Sequence, residues 1–308
     1  MRWSSQVQDH LEISCVHAAL NPLFPKGEGP ILETAELVFH DEFYGRIEMA
    51  HIADSAVRRK FAQRADKCKV NRTFLAQPTV FAERLNPHSA DRAERERAIR
   101  RLSDCLDEAA EIGADMMAFC SGPADGSRTA DSLAYYAEAI AALHEKAAAL
   151  DIRLVLEPFD DRLDKKRLFG VTDRVIALME RLPPDWTHFS ILVDLSHIPL
   201  LGEDVGTTVV RLAPYLGHVH IGNGVADRED DRFGDSHPYF GYPGGCNDTS
   251  EVSAFLAALI RSGYLSPDRK RTLGIEIADE DARDVLAGAK RTLRSAWSRA
   301  VMACEGSV

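Results

Sequence analysis

Four short runs of this chain end in residues that can hold a metal ion: Glu157 closes IRLVLE, Asp194 closes FSILVD, His220 closes GHVH and Glu276 closes LGIE. The second lies within ILVDLSHIPLL (191–201), an apolar stretch broken by Asp194 and, three positions on, by His197. A carboxylate taken out of water without a partner neutralises or finds a cation. Two glutamates, an aspartate and a histidine form a mixed oxygen and nitrogen donor set suited to one divalent ion, Mn²⁺, Co²⁺ or Mg²⁺, with Zn²⁺ also admitted. A sugar carbonyl held beside such an ion is polarised, its neighbouring C–H becomes acidic, and a carboxylate can take the proton. An ordinary imidazole titrates near neutral pH, so His197 is a candidate acid or substrate contact. Gln77, after KVNRTFLA, can hydrogen-bond a substrate hydroxyl. Each acid taken singly is also readable as a helix cap or a salt-bridge partner. Recurrence at equivalent ends of four successive runs sets them apart.

The runs belong to a longer alternation. Eight β-rich segments, at 10–16, 45–52, 69–76, 115–122, 152–159, 189–197, 217–223 and 272–278, are separated by amphipathic stretches such as AIRRLSDCLDEAAEIGAD. Strands alternating with helices imply parallel pairing through right-handed crossovers. Eight such units with strands apolar on both faces predict a closed (β/α)8 TIM barrel, a single domain over 1–308. No GxGxxG follows a strand, so an open nucleotide-binding sheet lacks its fingerprint. In a β/α barrel the C-terminal strand ends form the catalytic face, where all four candidate ligands fall. One segment is irregular: 223–248, NGVADREDDRFGDSHPYFGYPGGCND, is a long polar, glycine-rich and aromatic loop. Loops of that length inside a compact domain are usually functional or disordered.

Composition narrows the function classes. With 45% apolar and 28% charged residues and no apolar stretch near the ~20 residues of a membrane span, no membrane association is expected. The start MRWSSQVQDHLEIS shows no export signal, so the expected location is cytoplasmic. Six cysteines without a CxxC pair are expected to be reduced thiols. A formal charge of −11 disfavours a phosphate-backbone footprint, and no nucleic-acid partner is expected.

The order LVLEP, VDLSH, HVHIGN and LGIE resembles the xylose isomerase-like barrel superfamily, which includes ketose 3-epimerases, hydroxypyruvate isomerase, inosose dehydratase and the endonuclease IV group. The resemblance implies a sugar isomerase or epimerase of carbohydrate metabolism. It makes Glu157, Asp194, His220 and Glu276 the ligands of one divalent ion, manganese among the candidates, with Glu157 and Glu276 also facing the substrate. It makes His197 a substrate-binding histidine, and it selects His220 over His218 as ligand. Epimerases carry an arginine six positions after the histidine ligand; this chain has Ala226 there, with Arg228 and Arg232 nearby. The segment FGDSHPYFGYPGG (233–245) resembles that of the catalytic α subunits of C-glycoside deglycosidases, which act on 3-oxo C-glycosides and pair with a small β subunit. That likeness implies a lyase, working as an oligomer with such a subunit. His237 would then be an acid beside the leaving group, Arg228 and Tyr239 would be substrate contacts, and Phe233, Phe240 and Tyr242 would contact an aglycone. Ketose 3-epimerase is the alternative within the fold. An endonuclease IV-like enzyme would need further metal ligands from Glu12, His17, Glu48 and His51, with His40 a surface or pocket residue. A non-catalytic sugar-binding protein would have no need of both glutamates.

Overall fold

Strands with apolar residues on both faces pair side by side, each parallel to the next, and the eighth pairs back onto the first. In the computed structural model, which describes residues 3–124, 129–184, 186–279 and 281–306, they form a closed barrel. The strands are β1 Leu11–Val16, β2 Arg46–Met49, β3 Asn71–Leu75, β4 Met116–Phe119, β5 Arg153–Leu156, β6 Phe189–Asp194, β7 Leu216–Gly222 and β8 Arg271–Glu276. Around them run α1 Ile31–Phe39, α2 Ser55–Cys68, α3 Gln77–Ala82, α4 Arg92–Glu111, α5 Thr129–Ala149, α6 Thr172–Met179, α7 His197–Leu201, α8 Val205–Leu212, α9 Thr249–Arg261 and α10 Ala282–Glu305. The protein is therefore the (β/α)8 barrel that the alternation predicts. The paired strands are shorter than several of the apolar runs, because those runs continue past the last ladder bond into the loops of the catalytic face. Glu157 sits one residue beyond β5, where its N–H still donates to the Phe119 carbonyl at 2.8 Å.

Two cores result. The larger lies between strands and helices, and a smaller one inside the barrel, including Val16, Ala50, Leu75, Met116, Val155 and Leu192, forms the floor beneath the site. At the N-terminal end the barrel is closed by a buried arginine. Arg46 on β2 donates from Nε to Glu12 Oε2 and from Nη2 to Asp115 Oδ2, both at 2.9 Å, and from Nη1 to the Arg72 carbonyl. A guanidinium with this many acceptors keeps its charge despite desolvation. Helices that begin on the catalytic face are capped by aspartates of their own: Asp54, Asp91, Asp204 and Asp281 accept from backbone N–H groups of α2, α4, α8 and α10. The candidate ligands are thus spared that duty, Asp194 excepted: its Oδ1 accepts from Ser196 N at 2.7 Å.

The 223–248 segment is irregular but tied down. Val225 bridges to both Gly234 and Gly245, Asn223 Nδ2 donates to the Tyr239 carbonyl, and Ala278 N donates to the His237 carbonyl at 2.7 Å. No described helix is long and apolar enough to cross a membrane.

Trp297 on α10 is fully buried; its ring meets Trp3 edge-on at 5.4 Å and its Nε1 donates to the Ser4 carbonyl at 3.0 Å. Truncation to alanine leaves a large cavity and cuts the anchor between the N-terminal segment and the last helix. Trp297→Ala is expected to cost about 3–5 kcal/mol, read as a lowered midpoint in urea unfolding.

Candidate metal centre and active site

Strand register brings the ligands to one level. Asp194 on β6 pairs with His220 on β7, and His220 pairs with Gly274 on β8. Gly274 has to be small: a Cβ there would lie 2.5 Å from His220 Cδ2 and 2.6 Å from Glu48 Oε1. Glu276, two residues further along β8, and Glu157, just beyond β5, complete the set. His220 Nδ1 lies 2.9 Å from Glu276 Oε2 and 3.9 Å from both Glu157 Oε1 and Asp194 Oδ2. One donor atom from each of the four falls within 4.8 Å of the others. Glu157 Oε1 and Asp194 Oδ2 are buried and accept no hydrogen bond. Two orphaned carboxylate oxygens aimed at one imidazole form a hole of negative potential, which a divalent cation fits.

The histidine is oriented from behind. Its Nε2 lies 3.1 Å from Glu48 Oε2, and Glu48 Oε1 also receives His218 Nε2 at 3.0 Å; His218 Nδ1 in turn meets Thr272 Oγ1 at 2.7 Å. A carboxylate behind the ring fixes the tautomer that offers Nδ1 to an ion. Glu48 is therefore a positioning group beneath the centre. Burial acts to raise its carboxyl, but His220 and His218 outweigh it and hold the group well below the usual range. The remaining early-strand candidates do not gather at the site. Glu12 lies at the opposite end of the barrel on Arg46, His17 stacks on Phe24 and meets Thr34 Oγ1, His51 pairs with Glu108, and His40 is exposed beside Glu36. A second metal built on Glu12, His17, Glu48 and His51 is thereby excluded.

A second cluster adjoins the first. Asp194, His197 and His237 also bring donor atoms within 4.8 Å of one another. The buried Asp235 sits between the two histidines, its Oδ1 3.2 Å from His197 Nε2 and 3.0 Å from His237 Nε2, with Lys165 Nζ 3.7 Å from Oδ2. His197 Nδ1 lies 2.8 Å from the Pro158 carbonyl. His237 Nε2 is also 3.4 Å from Glu276 Oε1. The His237 backbone is left-handed, with φ 49°, a costly conformation retained where its surroundings dictate it. Gly222 makes room for the ring, since a Cβ there would come within 2.7 Å of His237 Nδ1.

Charges in the site are displaced in opposite directions. Burial raises the Glu157 carboxyl to about 7, against the pull of His197 and His220 and with the help of Glu276 and Asp194. Asp194 is raised for the same first reason. Burial also acts to raise Glu276, but His237 and His220 hold it below the ordinary range. Against desolvation, Asp235 and its neighbours lift His197 to about 10 and His237 to about 9. Both imidazoles are cationic at neutral pH.

A cavity of about 450 Å³ opens over this centre, lined by Glu157, His220, Glu276, His237, Asp235, Ser236, Lys165 and Arg232 together with apolar residues of the β1–α1 loop and α3. Gln77 lines it too, donating from Nε2 to Glu157 Oε2 at 2.6 Å. Arg228 is exposed and lies over Phe233; Arg232 occupies the cavity instead, tied to the carbonyls of Ser236 and Ala278. Tyr239 and Phe240 line a separate cleft against α10, and Tyr242 meets Asp230. The loop thus gives the cavity Arg232, Asp235, Ser236 and His237, while its aromatic rings face elsewhere. Simple alternation would put Phe233 and Tyr239 on the side of Asp235 and His237; the loop is not a regular strand, and the left-handed backbone at His237, φ 49°, breaks that alternation. Asp235, Lys165 and Phe81 are cavity residues that the sequence did not single out. An Asp-x-His pair inside a long loop was the one visible signal.

A family model described as xylose isomerase-like TIM barrel matches residues 32–295. The chain belongs to the xylose isomerase-like TIM barrel family. This is the family that the strand-end motifs resemble. No curated protein matches it in sequence. Solved structures with this barrel include an L-ribulose 3-epimerase, with TM-score 0.72, 19% identity and 97% of each chain covered. An IOLI protein bearing a zinc atom superposes with TM-score 0.67 and 11% identity, over 97% of this chain and 99% of that one. The E. coli 3-keto-D-glucoside 4-epimerase YcjR gives TM-score 0.59 and 13% identity, over 94% and 98%.

Metal binding requires Glu157 and His220 to shed protons, and both hold them above their ordinary pKa. Affinity should therefore rise with pH between about pH 6 and about pH 8, by about tenfold per unit for each proton displaced, as measured by calorimetric titration with Mn²⁺. Asp194→Asn and His220→Ala should each lose the bound ion in elemental analysis; full occupancy in both would place the site elsewhere.

Proposed function

We propose that this enzyme cleaves 3-oxo C-glycosides by β-elimination, with Glu157 as base and His237 as acid. Glu157, Asp194, His220 and Glu276 would hold one divalent ion, Mn²⁺ or Co²⁺ by the donor set, with Mg²⁺ or Zn²⁺ as alternatives. When bound, the ion supplies Lewis acidity to the sugar ketone. Gln77 orients Glu157 through the 2.6 Å hydrogen bond to Oε2, and burial gives the carboxylate a basicity near neutrality, suited to taking a proton from carbon. Glu276 is the weaker base, because two imidazoles stabilise its charge. The proton leaves the carbon between the ketone and the anomeric carbon. The released pair forms a double bond to the anomeric carbon, whose bond to the aglycone breaks, and the aglycone carbon takes a proton from His237. The products are an enone and the protonated aglycone.

The observation that carries this reading is the Asp235–His237 pair beside Glu276. An imidazole whose pKa is lifted to about 9 beside Asp235 and Glu276 is an acid in place, which epimerisation between two carboxylates does not require. A neutral sugar is favoured because the lysine and the arginine that line the cavity are already engaged, Lys165 by Asp164 and Asp235 and Arg232 by backbone carbonyls. Ketose 3-epimerisation is the second reading, since Glu157 and Glu276 approach the same His220 nitrogen from different strands.

In heavy water, the metal-loaded enzyme given a 3-oxo aryl C-glycoside should release aglycone and exchange the proton next to the ketone. His237→Gln should keep the exchange and lose cleavage by about 10²–10⁴-fold. Wild-type enzyme that epimerises a free ketohexose and releases no aglycone would replace this reading by the second.

A further inference from the structure

The cavity is chemically divided. Apart from Asn21 and Gln77, the polar residues lie on or after β5 to β8, including the 223–248 loop, whereas Ala19, Leu20, Pro22 and Pro25 of the β1–α1 loop and Pro78 and Phe81 of α3 supply an apolar wall. A volume of about 450 Å³ lies in the range of sites that enclose drug-sized ligands and exceeds what a single sugar ring fills. A free hexose carries hydroxyls around its rim and offers such a wall only the C–H groups of its ring faces.

We propose that this wall is a subsite for a flat aryl leaving group, with Phe81 as its platform; the assignment of the occupant rests on the cleavage reading above. The Phe81 ring is held before any ligand arrives. Arg167 Cζ lies 4.3 Å from its centroid, and Phe159 meets it at 5.3 Å with the rings at 88°. Phe159 is itself packed 4.3 Å from the His197 ring, so the platform is braced against the metal centre. A pre-positioned aromatic surface binds another ring without losing side-chain entropy.

Helix α3 sets the distance between the two halves. Gln77 and Phe81 are four residues apart, on one face and about 6 Å along the axis. Gln77 contacts Glu157 at the sugar end, and its Oε1 is buried with no hydrogen-bond partner, an acceptor available to a sugar hydroxyl. Phe81 lies one turn further on. Two directly linked rings, a pyranose and an arene, match that separation; a carbon–carbon link keeps them at one ring spacing. The cleft of Tyr239 and Phe240 is a poorer match for an uncharged arene, as Asp281 and Asp284 line it in addition to Asp279, which borders both.

Naphthol, a flat arene with no sugar, probes the subsite without turnover. Fluorescence titration of the metal-loaded protein should show saturable binding, weakened by at least about tenfold in Phe81→Ala, which removes the platform, and in Ala19→Phe, which fills the wall. Thr292→Phe, which fills the Tyr239 cleft, should leave the affinity unchanged. With a 3-oxo aryl C-glycoside, the same two wall variants should raise KM by a similar factor while proton exchange on 3-oxo-glucose stays within about threefold of wild type. Absence of saturable naphthol binding, equal affinity in wild type and both wall variants, or a loss confined to Thr292→Phe would overturn the subsite. Naphthol binding with the expected variant pattern and no aglycone release would instead uphold the subsite and reject the cleavage reaction.

Discussion

Three carboxylates converging on one imidazole out of water are the constraint around which the catalytic face is built. Desolvation and mutual repulsion would neutralise Glu157 and Asp194, and burial already raises both carboxyls. The barrel answers with a charge from below: Glu48 holds His220 cationic in the absence of an ion and in the metal-binding tautomer when one arrives. That arrangement depends on Gly274, whose missing side chain is the space in which ring and carboxylate meet. One glycine on a strand thus decides whether a histidine on its neighbour can be a ligand.

A second charge group stands beside the first with the opposite sign. Asp235 is buried between His197, His237 and Lys165, and these cations keep it ionised well below the usual carboxylate range despite desolvation. The site therefore contains bases whose protons are held loosely and imidazoles whose protons are held firmly, within a few ångströms. Environments that push pKa values apart in this way divide acid from base work. The loop carrying Asp235 and His237 meets this need through backbone ties, including Ala278 N to the His237 carbonyl, rather than by residues of a regular element.

The two ends of the barrel solve different problems with the same residue types. At the N-terminal end, Glu12 and Asp115 surround Arg46, every charge has a partner, and the result is closure. At the C-terminal end, Glu157 Oε1 and Asp194 Oδ2 are left without donors. Unsatisfied groups are expensive in a structural position. Glu157 also lines the cavity, so its unpaired oxygen lies where a ligand can reach it.

Much of this was legible before any coordinates. Alternation of apolar strands and amphipathic helices specified a parallel barrel, because strands buried on both faces can close only with helices outside. The periodic placement of Glu157, Asp194, His220 and Glu276 anticipated that these four would gather at one end of the barrel, because strand ends share one face. The loop was the failure. Its aromatics read as the contacts for an aglycone, yet Tyr239 and Phe240 turn to another cleft, while the apolar wall comes from Leu20, Pro22, Pro25, Pro78 and Phe81, remote in sequence from the motifs. Glu48 carried no sign that it would lie behind His220 rather than bind metal, and Asp235 none that it would join two histidines. Sequence pattern records which face of its own element a residue occupies. Which residues from separate loops meet in one cavity is decided by barrel register and by backbone bonds across the mouth, and these exist only when the eighth strand has closed on the first.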